Sequence, residues 1–257
     1  MTTLRDKLQN DQVALGLAIT LPAPGIIDAI GAGWDWVWTD AQHGQMSYET
    51  MLHLIRAADL RGLASIPRVP GHAYDTIGPV MDMRPAGIMV PIVDTPAQAR
   101  QVVDAARFPP LGKRSFGGRR MIDLEGRDYF RSANQDTLLL AQIETPEAVG
   151  NASAIAAIEG VDVLFFGADD VKVRLGIPIN TPAADSPEVV RAMERTARAA
   201  RDAGKSAGCV ATNSATLALA VSLGYRLIAG GQDVLFLREG SNAKLQELHH
   251  TLDARKA

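Results

Sequence analysis

Residues 138–171, LLLAQIETPEAVGNASAIAAIEGVDVLFFGADDV, constrain the fold more than any other stretch of the chain. Two apolar runs, LLLAQI and VDVLFF, are each too short for a helix and each lead into polar or acidic residues. Between them Thr145-Pro146-Glu147 opens a single helix, with proline in its first turn. Strand, helix, strand is a βαβ unit, and its two strands must run parallel. Ligands of such units gather at the carboxyl ends of the strands, which is where Glu144 and Asp170 fall. Two carboxylates at one rim repel each other unless a positive charge lies between them, and a divalent cation is the simplest candidate.

The same rhythm runs through the whole chain. Strands are predicted over 13–19, 35–39, 63–66, 87–90, 138–143, 161–166, 205–210 and 226–229. Helices are predicted over 25–31, 47–61 with Ser47 as cap, 74–83, from Thr95-Pro96 to about 107, 187–203, 214–223 and 234 to about 253. The strands are apolar on both faces, as a sheet covered on both sides requires. No linker or shift of composition divides the chain, and no Gly-rich turn follows the first strand, as a doubly wound sheet would want. The expectation is one α/β domain over residues 1–257, a (β/α)8 TIM barrel with an extra C-terminal helix. Residues 108–135 break the rhythm, being too long for an ordinary helix-to-strand connection. A segment that enters from the rim opposite the site is either a floppy insertion or one that serves a neighbouring subunit.

With 257 residues, 47% of them apolar and 21% charged, the chain belongs to the globular class. A net charge of -3 without a Lys/Arg block argues against nucleic acid as a partner. No apolar run approaches the ~20 residues of a membrane span, and the polar N-terminus lacks a signal-peptide core. Cys209 is the only cysteine, so nothing points to an oxidising compartment and a cytoplasmic protein is expected.

Chemistry-bearing residues cluster just beyond the strands: Asp40 to His43, Arg68, Gln142, Glu144, Asp169 and Asp170. A base, a fixed cation and metal-ligating carboxylates on one rim can stabilise an enolate. Each has a plainer reading. Glu144 could merely cap the following helix, and spacing cannot choose between Asp169 and Asp170 as a ligand. His43 could be an ordinary loop histidine, or a base oriented by Asp40 three residues earlier. Arg68, bracketed by Pro67 and Pro70, could hold a surface ion pair or a substrate oxyanion. Lys172 reads as a loop residue, and Cys209 as a small core residue.

The ordered segments TDAQHG, IPRVP, DMRPAGIMVPIVDTPAQAR, FPPLGKRS, QIET and FFGADDV together resemble the HpcH/HpaI aldolase/citrate lyase family over nearly the whole chain. Within it, the class II pyruvate aldolases are most similar, and GKRSFGG is closer to the macrophomate-synthase-like branch. The resemblance implies a barrel that binds Mg2+, Mn2+ or Co2+ through Glu144 and Asp170. It implies a His43 base held by Asp40, an enolate-stabilising Arg68, and 2-oxo-acid contacts at Gln142, Gly167, Ala168 and Asp169. The implied reaction enolises pyruvate or a related 2-oxo acid and adds it reversibly to an aldehyde. An oxaloacetate decarboxylase, a CoA-thioester lyase using Lys113, Arg114, Arg119 and Arg120, and a non-catalytic 2-oxo-acid-binding barrel are the alternatives. Trimers or hexamers with an exchanged terminal helix are also implied, with Asp82, Arg119 and Arg120 reaching a neighbour's pocket. This chain departs from the family pattern at Gln42, where the usual acid beside the base is missing, and at Ala168 and Val171. Without that carboxylate His43 is expected to be less basic.

Overall fold

A computed structural model describes residues 2–254. Eight parallel strands close into a barrel in sequence order. They are β1 (Ala14–Ile19), β2 (Trp36–Asp40), β3 (Ala64–Arg68), β4 (Gly87–Val90), β5 (Leu138–Ile143), β6 (Val163–Phe166), β7 (Ser206–Val210) and β8 (Tyr225–Gln232). Around and below them run α1 (Leu4–Gln9), α2 (Gly25–Ile30), α3 (Tyr48–Leu60), α4 (Tyr74–Met81), α5 (Pro96–Ala106), α6 (Arg119–Glu125) and α7 (Phe130–Asp136). The series continues with α8 (Pro146–Ala156), α9 (Ala168–Leu175), α10 (Pro187–Asp202), α11 (Ser214–Leu223) and α12 (Asp233–Asp253). The expected (β/α)8 TIM barrel with an added C-terminal helix is therefore present. None of the described helices is long and apolar enough to cross a membrane.

Side chains alternate between the barrel interior and the helix-facing side at a period of two. Trp36, Trp38, Ile66, Met89, Leu140, Val163, Phe165 and Leu227 pack together inside, while Val37, Ile88, Leu139, Leu164 and Ile228 meet the helices outside. Phe165 stands edge-on to both tryptophans, with ring centroids 6.4 Å from Trp36 and 5.8 Å from Trp38. Glycines opposite make the room: a Cβ on Gly16 would lie 2.1 Å from the Trp36 ring, and one on Gly208 2.6 Å from Phe165. Carrying the same alternation upward from Trp38, Ile66, Leu140 and Phe165 gives Asp40, Arg68, Gln142 and Gly167. The residues of the carboxyl rim are thus the top layer of the barrel interior, positioned by the strands themselves.

Several elements lie beyond the sequence reading. Helix α1 plugs the opposite end of the barrel with Leu4 and Leu8, its start fixed by a capping box between Thr3 and Asp6. Strand β3 runs on through Pro67 to Arg68, since Pro67 pairs in register with Thr39 and costs the sheet only one amide. The segment between α5 and β5 is folded rather than floppy. Phe108, Met121, Tyr129 and Ala133 form a small core there, and the Tyr129 hydroxyl donates to the Gly117 carbonyl at 2.6 Å. Buried Arg107 ties this segment to the lower rim through the carbonyls of Asn134, Thr137 and Gly160.

Candidate active site

Arg68 is the most constrained side chain of the upper rim. It is 6% exposed, and its guanidinium donates to both oxygens of Asp40, at 2.9 Å from Nε and 2.6 Å from Nη2. Nη1 reaches the Gln142 Oε1 at 3.4 Å, and the Trp38 ring lies 4.5 Å beneath the guanidinium carbon. This is a buried, bidentate, aromatic-backed cation, not a surface ion pair. Burial alone would push the Asp40 carboxyl up, but the two Arg68 bonds, its charge and the loop amides outweigh it and hold Asp40 below its ordinary value.

The expected pairing of Asp40 with the His43 ring is not what the geometry contains. Asp40 Oδ1 accepts the backbone amides of Gln42 at 3.0 Å and His43 at 3.3 Å, and its remaining capacity goes to Arg68. The carboxylate therefore shapes the loop and fixes Arg68, while the exposed His43 side chain faces the cavity with no polar partner among the described residues. Gly44 lets the loop close: a Cβ there would fall 2.1 Å from the Asp40 carbonyl oxygen.

Glu144 follows β5 and is 1% exposed. It does not cap α8, because Thr145 does so by accepting the Ala148 amide at 2.9 Å. Instead its Oε1 accepts the Ile92 amide at 2.8 Å, and Ile92 holds a left-handed φ of 53° to aim that amide. A β-branched residue in that region is strained, and strain of this kind collects at functional sites. Burial pushes the Glu144 carboxyl up to about 7; the Ile92 amide opposes the rise, the nearby charge of Asp170 adds to it, and Arg68 and Arg174 oppose it.

Asp170 lies in the first turn of α9, a helix absent from the sequence reading. Its short polar stretch buries only Val171 and Lys172, so it shows no amphipathic period, although Gly176 ends it in a left-handed cap. Lys172 also sits in this helix rather than in the loop expected from the sequence. Its buried ammonium donates to Asp169 at 2.9 Å and to the Ile179 carbonyl at 3.3 Å. Asp169 is thereby engaged, while Asp170 is exposed and within electrostatic reach of Glu144. Gly167 has no side chain to cap α9, and a Cβ there would lie 2.9 Å from Glu144 Oε2 and 3.3 Å from Gln142 Nε2. Glycine keeps that space open beside the carboxylate.

Asp40, His43, Arg68, Gln142, Gly167, Asp169 and Asp170 line a cavity of two lobes that share Trp38, His43, Arg68, Val210 and Thr212, whereas the buried Glu144 lines neither lobe. One, about 410 Å³, is lined by Gln142, Gly167, Ala168, Asp169 and Asp170; the other, about 460 Å³, extends toward β1, β8 and α12. Among the described residues no three His, Cys, Asp or Glu side chains form a ready ligand set. Two carboxylates nonetheless fit a hard divalent ion that keeps water or substrate oxygens in its remaining positions. Asp82, Arg119 and Arg120 lie elsewhere. Asp82 ends α4 beneath the lower rim and pairs with Arg114 at 2.7 Å, while Arg119 and Arg120 pair with Asp123 and Asp59. Cys209 is buried in β7, with its thiol pushed up to about 12 by burial, so it is inert.

A raised carboxyl carries a stability consequence. The folded state binds a proton at Glu144 more tightly than the unfolded chain, whose value is near 4.5, so metal-free protein loses stability as pH rises from about 4.5 to about 7. Urea midpoints at about pH 5 and about pH 8 check this: Glu144→Gln is expected to gain on the wild type at the higher pH. A wild-type-to-variant difference equal at both pH values would contradict it.

Residues 23–239 match the HpcH/HpaI aldolase/citrate lyase family. The chain is 33% identical to a 4-hydroxy-2-oxovalerate aldolase of Novosphingobium aromaticivorans, over 99% of this chain and 97% of the relative. It is also 33% identical to a 2-keto-3-deoxy-L-rhamnonate aldolase of Salmonella gallinarum, over 91% of this chain and 87% of the relative. The crystal structure of an HpcH/HpaI aldolase from Desulfitobacterium hafniense DCB-2 superposes with a TM-score of 0.88 at 27% identity, covering 96% of this chain and 97% of that one. The barrel, its upper rim and this near full-length likeness agree: the chain belongs to the HpcH/HpaI aldolase/citrate lyase family and is an enzyme of the lyase kind.

Proposed function

We propose that the chain enolises pyruvate or a closely related 2-oxo acid and adds it reversibly to an aldehyde, cleaving 4-hydroxy-2-oxo acids in the other direction. The observation that carries this reading is Glu144, a carboxylate buried near the charge of Asp170 and in no ion pair with a Lys or Arg among the described residues. A divalent ion such as Mg2+, Mn2+ or Co2+, held by Glu144 and Asp170, would supply Lewis acidity toward the keto and carboxylate oxygens of the substrate. The uncapped first turn of α9, from Gly167 through Asp169, offers backbone amides to the substrate carboxylate. Gln142 fixes the same end of the substrate. Arg68, held rigid by Asp40, donates to the oxygen on which negative charge develops. His43 removes the proton from the carbon beside the keto group, and the enolate then attacks the aldehyde. The aldehyde oxygen takes up a proton as the carbon–carbon bond forms; cleavage reverses each transfer.

A CoA thioester is disfavoured as substrate, because the cations that would meet its phosphates are already paired. Lys113 bonds Asp104, Arg114 bonds Asp82, Arg119 bonds Asp123 and Arg120 bonds Asp59. All lie away from the upper rim.

The same proposal includes assembly with further copies of this chain. Helix α12 is 21 residues long and buries only Asp233. Leu237, Leu245, Leu248 and Leu252, all more than 50% exposed, stripe one face of it. Contributions of Asp82, Arg119 and Arg120 to a neighbouring site, and a cytoplasmic setting for the lone buried thiol, belong to this reading. Light scattering after size exclusion is expected to give a trimer or hexamer; a monomer at micromolar concentration would remove the assembly. Exchange of the pyruvate methyl protons for deuterium, followed by NMR without any aldehyde, tests the chemistry. Exchange is expected with Mg2+ or Mn2+ and is lost on chelation and in Glu144→Gln. Exchange that survives complete chelation would overturn the proposal.

A further inference from the structure

The peptide that meets Glu144 is itself gripped from another part of the rim. Beyond β4 the chain turns through Pro91 and Ile92, and the peptide unit between them faces two ways. Its N–H, on Ile92, donates to Glu144 Oε1 at 2.8 Å. Its C=O, on Pro91, lies 2.7 Å from His72 Nε2. A carbonyl oxygen only accepts, so that imidazole nitrogen carries the hydrogen and donates it. His72 stands in the loop that leaves β3 just beyond Arg68. The contacts therefore run from imidazole to peptide to carboxylate.

That peptide needs a restraint. Ile92 holds its left-handed backbone although its side chain is 37% exposed, so packing gives it little support. The residues that follow are fastened on the other side, toward β5 and α8. The Val93 amide donates to the Gln142 carbonyl at 3.2 Å, the Thr145 hydroxyl to Asp94 Oδ1 at 2.5 Å, and the Asn151 side chain to the Asp94 carbonyl at 2.7 Å. None of these bonds involves the Pro91 carbonyl. Histidines that stitch one loop to another are ordinary; this one differs because the peptide it grips ends, on its other side, at a buried carboxylate.

We propose that His72 is a positioning residue for the divalent ion, an inference that rests on the reading of Glu144 as its ligand. It touches neither ion nor substrate; it holds the Pro91–Ile92 peptide so that Glu144 keeps one orientation. With Oε1 taken by the Ile92 amide, Oε2 is left beside the space that Gly167 keeps open. Two effects act together. The imidazole selects one orientation of the peptide, and with it one placement of the carboxylate. Hydrogen bonding at the carbonyl also polarises the peptide unit, which makes its N–H a stronger donor. Loss of such a partner behind a ligand commonly weakens metal binding by roughly ten- to a hundredfold.

The test is the Mn2+ affinity of the full-length protein, read without turnover from the electron paramagnetic resonance of unbound Mn2+. The site followed is the one that Glu144→Gln removes. His72→Phe keeps a ring but has no donor, His72→Ala leaves space instead of bulk, and His72→Asn keeps an N–H donor on a shorter side chain. Kd is expected to rise about tenfold in the Phe and Ala variants and to recover in part in Asn. The rate of pyruvate methyl-proton exchange at saturating Mn2+ is expected to stay within about twofold of wild type. Ile92→Gly, for which a left-handed φ carries no strain, is expected to shrink the effect of losing His72. An unchanged Kd in whichever of the Phe and Ala variants folds overturns the proposal. So does an effect that Ile92→Gly leaves at full size, or a saturated exchange rate that falls as far as the affinity. Wild-type protein with no Mn2+ site sensitive to Glu144→Gln brings down the metal reading and this one together. A wild-type site whose Kd the His72 variants share brings down only the role of His72.

Discussion

Glu144 is an acid that the fold buries at the end of β5, in no ion pair with a Lys or Arg among the described residues. An isolated carboxylate in such a place either keeps its proton or acquires a cation, because low-dielectric surroundings penalise the bare charge. Burial works against the ionised form of Glu144, while part of its surroundings favours it. Ile92 accepts a strained backbone to aim an amide at it, and Gly167 leaves open the space beside its second oxygen. Asp170 would make matters worse without a counter-ion, and it stands in the first turn of the next helix all the same. The proposed divalent ion between the two carboxylates would offset both costs.

Arg68 answers a different problem, that of presenting a positive charge at a fixed angle. A lone guanidinium at a rim would sample many rotamers. Here Asp40 grips two of its nitrogens, Gln142 meets a third and Trp38 supports its face. Asp40 thus serves the imidazole only through the loop backbone. The absence of an acid at position 42 fits this division: His43 is left with neither neighbour as a side-chain partner.

Much of the barrel was legible because a parallel sheet covered on both sides imposes continuous apolar runs with little tolerance. Runs such as LLLAQI and GIMV match β5 and β4 residue for residue. What escaped was set by tertiary contacts or by cap chemistry. The first helix is six residues long and is held by two leucines inserted into the barrel, which no periodicity announces, although Thr3 and Asp6 carried a capping signal. The helix after β6 buries two side chains, one of them a lysine, and so reads as a polar loop. The sequence marks Arg68 as a rim residue, but chain proximity pairs Asp40 with His43 rather than with Arg68. A pairing across β2 and β3, in which Asp40 stands opposite Arg68, requires knowing the strand register.

Crystals grown with Mn2+ and pyruvate examine most directly whether one ion lies between the two carboxylates. Anomalous scattering is expected to give a single strong peak bridging the carboxylates of Glu144 and Asp170, with pyruvate oxygens completing the shell. A peak elsewhere, or well-ordered pyruvate at the upper rim with no peak between these two side chains, would contradict the account.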